Sequence, residues 1–205
     1  MSRLLVIRHG ATAWNEAGRI QGRSDQPLSP AGRKAVAGWT LPAEAAGARW
    51  LASPLSRARE TAALLHDGPV EVEPRLVETD WAAWEGRTLA ALRAELGQAM
   101  AANEARGLDF RPPGGESPRD LQARLRPLLA ELAARGEDTV AVTHKGIIRA
   151  LYALASGWDL RDRPPAKLRN GCAQLFRLGP GGTPSVERLN IPLDAASPRR
   201  AGGRS

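Results

Sequence analysis

Cysteine is almost absent from this chain of 205 residues: Cys172 stands alone, so no intramolecular disulfide can form and a reducing, cytoplasmic compartment is expected. No apolar run approaches the roughly 18 residues that a membrane span needs. Leu4-Leu5-Val6-Ile7 near the start is too short for a signal-peptide core, so neither export nor a membrane partner is expected. Aromatic residues number nine (six Trp, two Phe, one Tyr), and none falls into a base-stacking motif. Lysine is nearly missing as well. Only Lys34, Lys145 and Lys167 occur among 29 basic residues, so the net charge of +7 is carried by arginine. The basic residues are scattered, apart from Arg199, Arg200 and Arg204 at the end, which argues against nucleic acid and for a small anionic substrate.

Absent motifs narrow the chemistry further. No lysine follows a glycine, which excludes a P-loop, and no Gly-x-Ser-x-Gly elbow is present. Cys172 and Arg177 are separated by four residues, one short of a tyrosine-phosphatase loop. Three scattered histidines and one cysteine provide no zinc spacing, so no metal is expected.

What remains is a regular alternation of short buried strands and amphipathic helices. Residues 3–8, 49–53, 70–72 and 139–143 read as strands. Ser29-Pro30, Ser53-Pro54 and Ser117-Pro118 each read as a helix cap with a first-turn proline. The helix after Ser29 is expected to reach about residue 46, the one after Ser53-Pro54 to span 55–65, and one opening at Thr88 to end near Leu96. After Ser117, Leu121, Leu125, Leu128, Leu129 and Leu132 form one apolar stripe, with a kink expected at Pro127. Another helix is expected from about Gly146 to Ala155, and strands near 173–178 and 185–190 flank Gly179–Gly182 as a hairpin. The pattern implies a mostly parallel sheet with helices on both faces, in one domain over 1–194 with a disordered basic tail at 195–205. In such sheets ligands bind at the carboxyl ends of the strands. Arg8, His9 and Gly10 follow the first strand, Ser53 and Arg57 the second, and His144 the strand at 139–143.

Two histidines and two arginines gathered on one sheet edge fit phosphoryl chemistry. Arginine forks grip phosphate oxygens, a neutral imidazole can attack phosphorus, a second histidine can stabilise the charge that develops, and a carboxylic acid must protonate the leaving oxygen. The residues carry a resemblance too. Arg8-His9-Gly10-Ala11-Thr12-Ala13-Trp14-Asn15, Gln21-Gly22, Asp25-Gln26-Pro27-Leu28-Ser29 with Gly32, and Ser53-Pro54-Leu55-Ser56-Arg57-Ala58 are followed by Leu76-Val77-Glu78. Trp84-Glu85-Gly86, Pro113-Gly114-Gly115-Glu116-Ser117 and Thr143-His144-Lys145-Gly146 complete the order. Over roughly 3–178 the chain resembles the histidine phosphatase superfamily, the phosphoglycerate-mutase-like enzymes.

That resemblance implies a three-layer α/β/α sandwich with a mostly parallel mixed sheet and a cap over about 85–117. It implies His9 as phosphate-accepting nucleophile, Arg8 and Arg57 as phosphoryl clamps, His144 as second pocket histidine and Glu78 as proton donor. Asn15 is implied as a phosphate-pocket donor, and Gln21 and Gly22 as wall near the substrate. Arg59 competes with Arg57 for the second clamp, and Asp80 and Glu85 lie close to Glu78 in sequence. No cofactor is implied. Ala82 stands where the family often has glycine, so the backbone there must tolerate a Cβ. Phosphomonoester hydrolysis is the favoured activity, in the branch that includes α-ribazole-phosphate phosphatases. Phosphoglycerate mutase is the nearest alternative, and an inert phosphate- or nucleic-acid-binding module a distant one. The substrate is a small phosphorylated molecule whose leaving group the sequence does not specify, and no oligomeric interface can be read.

Overall fold

The computed structural model describes residues 2–193. Six strands, β1 (Ser2–Arg8), β2 (Arg49–Ala52), β3 (Val70–Val72), β4 (Thr139–Thr143), β5 (Cys172–Leu178) and β6 (Pro184–Pro192), form one sheet in the order β3-β2-β4-β1-β5-β6. The first four run parallel, and β5 and β6 are antiparallel additions at one side. Helices α1 (Ala13–Glu16), α2 (Pro30–Ala37), α3 (Ser56–Leu65), α4 (Leu89–Glu104), α5 (Pro118–Arg135) and α6 (Lys145–Ser156) complete the chain.

The apolar strands are buried on both faces, and their side chains alternate between two cores. Leu4, Val6, Leu51 and Ala141 meet the α5 stripe (Leu121, Leu125, Leu128, Leu129, Leu132) and Ile147, Ile148 and Leu151 of α6. Leu5, Ile7, Trp50, Val140 and Val142 meet Ala58 and Ala62 of α3 on the other face. The layers are therefore α/β/α.

α5 starts as its cap motif requires: Ser117 and Asp120 bond reciprocally, with Pro118 in the first turn. The expected kink at Pro127 does not break the helix. Pro127 and Ala123, whose carbonyl loses its helical donor, are both exposed, so solvent can replace that bond. α2 ends at Gly38 rather than near residue 46. Gly38 is its C-cap, and Pro42 begins a separate short turn over Ala43–Ala45. α4 runs past Leu96 to Glu104, but Gly97 (φ 48°, ψ −121°) interrupts it one residue beyond the expected end. α3 begins at Ser56 with no side-chain cap, because its N-cap position falls on Leu55, whose side chain has no acceptor.

A third, smaller core gathers Trp84, Leu92 and Met100 with Trp81 and Phe110 packed against them. It overlaps the segment expected as a cap. Ala82 in this region has φ 46°, with its N–H held by Asp80 Oδ1 at 2.9 Å. The Cβ is accommodated in a left-handed conformation that costs about 1 kcal/mol for a non-glycine residue. His66 is the C-cap of α3, with its ring stacked on Trp50 at 4.6 Å. Cys172 is half-buried. Among the described residues no helix is long and apolar enough to cross a membrane. The basic tail at 195–205 lies outside the described residues.

Candidate active site

Strand register places the two histidines side by side. Arg8 on β1 pairs with Thr143 on β4, so His9 and His144, the next residue of each strand, leave the sheet at the same edge. The His9 N–H still donates to the Thr143 carbonyl (2.9 Å), and the two imidazole centroids are 5.0 Å apart. Ser53, just past β2, stays on the ladder through its N–H to the Val142 carbonyl (3.0 Å). These strand ends open into a cleft of roughly 1150 Å³ lined by Arg8, His9, Asn15, Gln21, Gly22, Arg57 and Glu78, among others.

His9 is 6% exposed. Its Nδ1 lies 2.7 Å from the Gly10 carbonyl. A carbonyl can only accept, so Nδ1 carries the proton and Nε2 keeps its lone pair. Burial, then the charges of Arg8 and Arg57, hold the His9 pKa well below the ordinary histidine value, so the ring is neutral. His144 is fully buried beside it and does not itself line the cleft. Burial and the neighbouring His9, Arg57 and Arg8 depress its pKa in the same direction. Ser53 Oγ accepts from the Leu55 N–H and sits 2.7 Å from His144 Nε2. When the hydroxyl donates to Nε2, Nδ1 is the protonated nitrogen.

Arg57 on α3 is completely buried, whereas Arg59 one turn-face away is exposed and does not line the cleft. The Arg57 terminal nitrogens donate to the carbonyls of Ser24 (3.0 Å) and Gly22 (2.7 Å). Glu85 grips the same loop, accepting from the backbone N–H groups of Arg23 and Ser24, both at 2.7 Å. Gly22 has φ +54°, and a Cβ there would lie 1.9 Å from Glu85 Oε1, so only glycine fits. Glu85 is therefore occupied with holding the loop that holds Arg57. Asp80 is occupied too, with Arg23 and the Ala82 N–H. Neither lines the cleft, whereas Glu78 does.

Glu78 is fastened from several sides. Its Oε1 accepts from Thr79 N–H and Oγ, and its Oε2 from the Gly146 N–H at 3.1 Å in the first turn of α6. A Cβ on Gly146 would stand 2.2 Å from Glu78 Oε1, which explains the glycine after His144-Lys145. The Thr143 hydroxyl donates to the Leu76 carbonyl, and Arg124 donates to those of Arg75 and Val77, fixing the segment that leads to the acid. Glu116 in turn anchors Arg124 and the Asp80 N–H.

Asn15 caps α1 reciprocally with Thr12, and its Nδ2 donates to Gln21 Oε1 at 3.2 Å, as the Thr12 hydroxyl does at 3.1 Å. Both lone-pair directions of Gln21 Oε1 are thus taken, and its Nε2 faces the question of a partner. Five buried side-chain atoms find no hydrogen-bond partner among the described residues: Arg8 Nε, Gln21 Nε2, Arg57 Nε, His144 Nδ1 and Arg124 Nε. Four of the five belong to residues of this site: three are N–H donors as they stand, and His144 Nδ1 is one when Nε2 accepts from Ser53. A buried donor without a partner costs about 1–3 kcal/mol, so together they mark a place built to receive an oxyanion.

Sequence reasoning took Ser53 for a helix cap and passed over Asn170, whose Oδ1 accepts from Arg8 at 2.6 Å. The position of Ser53 at a strand end, like those of the histidines, is legible in the sequence, whereas its bond to His144 is not. Asn170 is brought to Arg8 by the β1–β5 pairing, and nothing local announces it.

Known proteins resemble this chain in sequence and in fold. The chain is 40% identical over 170 residues to a glucosyl-3-phosphoglycerate phosphatase of Mycobacterium tuberculosis, covering 74% of each chain. It is 33% identical over 192 residues to a 2,3-bisphosphoglycerate-dependent phosphoglycerate mutase of Methylobacterium radiotolerans, covering 87% of this chain and 91% of the mutase. A solved structure of the mycobacterial glucosyl-3-phosphoglycerate phosphatase complexed with VO3 superimposes with a TM-score of 0.76 at 30% identity, over 95% of this chain and all of the other. Residues 4–192 match the histidine phosphatase superfamily, branch 1, and the chain belongs to that family.

Proposed function

We propose that the chain hydrolyses small phosphomonoesters through a phosphohistidine on His9. The observation that carries this reading is the neutral, buried His9 at the strand edge, 5.0 Å from His144 and lining one cleft with Arg8, Arg57, Gln21 and Glu78, where Arg8 Nε, Arg57 Nε and Gln21 Nε2 are buried donors without a partner among the described residues. Neutral His9 Nε2 attacks phosphorus, forming the N–P bond as the ester P–O bond breaks. Arg8, Arg57, Gln21 and His144 donate to the phosphoryl oxygens, where charge shifts in the transition state. Glu78 supplies the proton that the leaving oxygen takes, and then receives one from the water that cleaves the N–P bond, restoring His9 and releasing phosphate. Asn15 orients Gln21, and Gly22 with Ser24 holds Arg57. The segment around 85–117 serves as a cap, contributing Leu89, Arg93, Glu104 and Phe110 to the cleft wall.

The test is hydrolysis of an aryl phosphate in EDTA by the parent and by His9→Ala. Chelator-resistant turnover that disappears in the variant is the expected result, and a variant that keeps parental turnover overturns the assignment. The similarity to a mutase supports a second reading, in which the phosphoryl group returns to a bound sugar acid. The higher identity to the phosphatase, 40% against 33% for the mutase, supports placing hydrolysis first. Conversion of 3-phosphoglycerate to 2-phosphoglycerate faster than phosphate release would reverse that order.

A further inference from the structure

Arg8 and Arg57 are anchored unlike the paired arginines of the surface. Arg3, Arg75 and Arg119 bind the carboxylates of Asp138, Glu131 and Asp109. The two clamp arginines form no ion pair among the described residues. Arg57 donates to two backbone carbonyls. Arg8 has one anchor, the Asn170 side chain, which accepts from a terminal nitrogen of the guanidinium at 2.6 Å. A guanidinium can only donate, so the amide must turn Oδ1 toward it. In both arginines the Nε–H is buried without a partner among the described residues. Each anchor thus takes terminal nitrogens and leaves Nε for the anion.

Asn170 reaches Arg8 from an irregular edge of the sheet. Ile7 on β1 pairs with Ala173 on β5, so the chain entering β5 passes beside the residue that follows Ile7. On the far side of β5 the register with β6 slips. Ala173 pairs with Ile191 but Leu175 with Arg188, which leaves Leu189 and Asn190 opposite Gln174 alone. Asn190 sits in this bulge with φ 56°, a left-handed conformation that asparagine tolerates better than most residues. Its N–H donates to the Oε1 of buried Gln174 at 2.8 Å. Its side chain turns back to the loop before β5, accepting from the Arg169 N–H at 2.7 Å and donating to the Lys167 carbonyl at 2.9 Å. Leu193 fastens the other flank, donating to the Gly171 carbonyl at 3.0 Å. Asn170 itself is exposed and lines the cleft, yet the backbone on both sides of it is tied down.

A neutral anchor has an electrostatic advantage here. A carboxylate in place of the Asn170 amide would hold the fork equally well, but it would cancel the charge of Arg8 and repel an incoming phosphoryl group. The amide sets the direction and leaves the charge whole. We propose that Asn170 is a positioning residue for Arg8, which aims the Arg8 Nε at the phosphoryl oxygens without neutralising the guanidinium, and that Asn190 holds Asn170 in place from the β6 bulge. The proposal rests on the reading of Arg8 as a phosphoryl clamp.

Titration calorimetry with orthovanadate, which needs no turnover, tests it. Asn170→Asp keeps the shape and adds a charge. Asn170→Ala removes the anchor. Asn190→Gly keeps the backbone conformation and removes the two loop bonds. Orthovanadate should bind about tenfold or more weakly to Asn170→Asp and severalfold more weakly to Asn170→Ala, the scale of a hydrogen bond to a charged group. Asn190→Gly should also weaken binding, by less than Asn170→Ala. All three should keep one site per chain, because Asn170 is exposed and no core packing is lost with it. A merely structural role would do the reverse, lowering the number of sites and leaving the affinity of the remainder unchanged, and that outcome overturns the proposal. Parental affinity in Asn170→Asp or in Asn170→Ala overturns it as well, and parental affinity in Asn190→Gly overturns the part given to the bulge. If the parent binds orthovanadate but hydrolyses no ester, the phosphatase reading falls, and the variants still decide the role of Asn170. If the parent hydrolyses esters but binds no orthovanadate, the clamp and its anchor fall together.

Discussion

The Gly146 backbone N–H donates to Glu78 Oε2 at 3.1 Å, so the proposed acid hangs from the helix that begins just after His144. One residue's lack of a side chain thus couples acid and imidazole. Gly146→Ala would put a methyl 2.2 Å from the other Glu78 oxygen. We expect kcat to drop at least about tenfold, the scale of losing a positioned general acid. Melting and kcat measured on the same preparation check this, because the thermal midpoint should move far less than turnover.

Glu78→Gln separates the two halves of the reaction. A good aryl leaving group departs with little protonation, whereas an alkyl oxide does not. Formation of the phosphoenzyme should therefore fall roughly a hundredfold on an alkyl phosphate and much less on a nitrophenyl phosphate. Burst kinetics on the two esters distinguish this from a uniform loss, which would mark Glu78 as structural.

Arg57→Lys and Arg59→Ala are expected to differ sharply. Arg57 holds two carbonyls and leaves Nε for the phosphoryl group, and lysine cannot reproduce a fork. Turnover on an aryl phosphate should fall by about a hundredfold or more, on the scale of one lost transition-state donor. Arg59, exposed and outside the cleft, should tolerate alanine with parental kinetics.

The depressed pKa values of His9 and His144 fix the sign of a pH effect. Above about pH 6.5, the unfolded histidine value, both states hold these rings neutral and the term vanishes. Below it the unfolded chain binds protons that the folded chain refuses, so stability falls as pH falls toward the native pKa values. Thermal midpoints between pH 7.5 and 5 should decline, and less steeply in His9→Asn. Titration of His9 should not limit activity near pH 6, since its Nε2 remains unprotonated there.

How much of this was legible beforehand depended on range. Strand β1 and the α5 stripe announced themselves, since local apolar period reflects burial directly. His9, Arg57 and His144 were placed on one edge because parallel strands present their carboxyl ends together. The extent of α2 was misjudged because its apolar content continued past Gly38. Ser53 was misread because a serine before proline satisfies the cap pattern whether or not its hydroxyl turns to the helix. The Arg8–Asn170 contact spans 162 positions, and Glu78's fastening to Gly146 spans 68, so neither leaves a local trace.

The sheet order has a consequence for synthesis. β4 lies between β1 and β2, pairing Arg8 with Thr143 on one side and Ala52 with Val142 on the other. While the chain grows from its N-terminus, the first two strands are made long before the strand that separates them. Each then exposes a bare apolar edge, able to pair wrongly with the other or with a neighbouring chain. Residues up to about 135 can form α2, α3 and the α5 stripe, yet they lack the central rung and the second imidazole. Assembly of the site therefore waits on β4, which joins β1 to β2 and carries His144 behind Thr143.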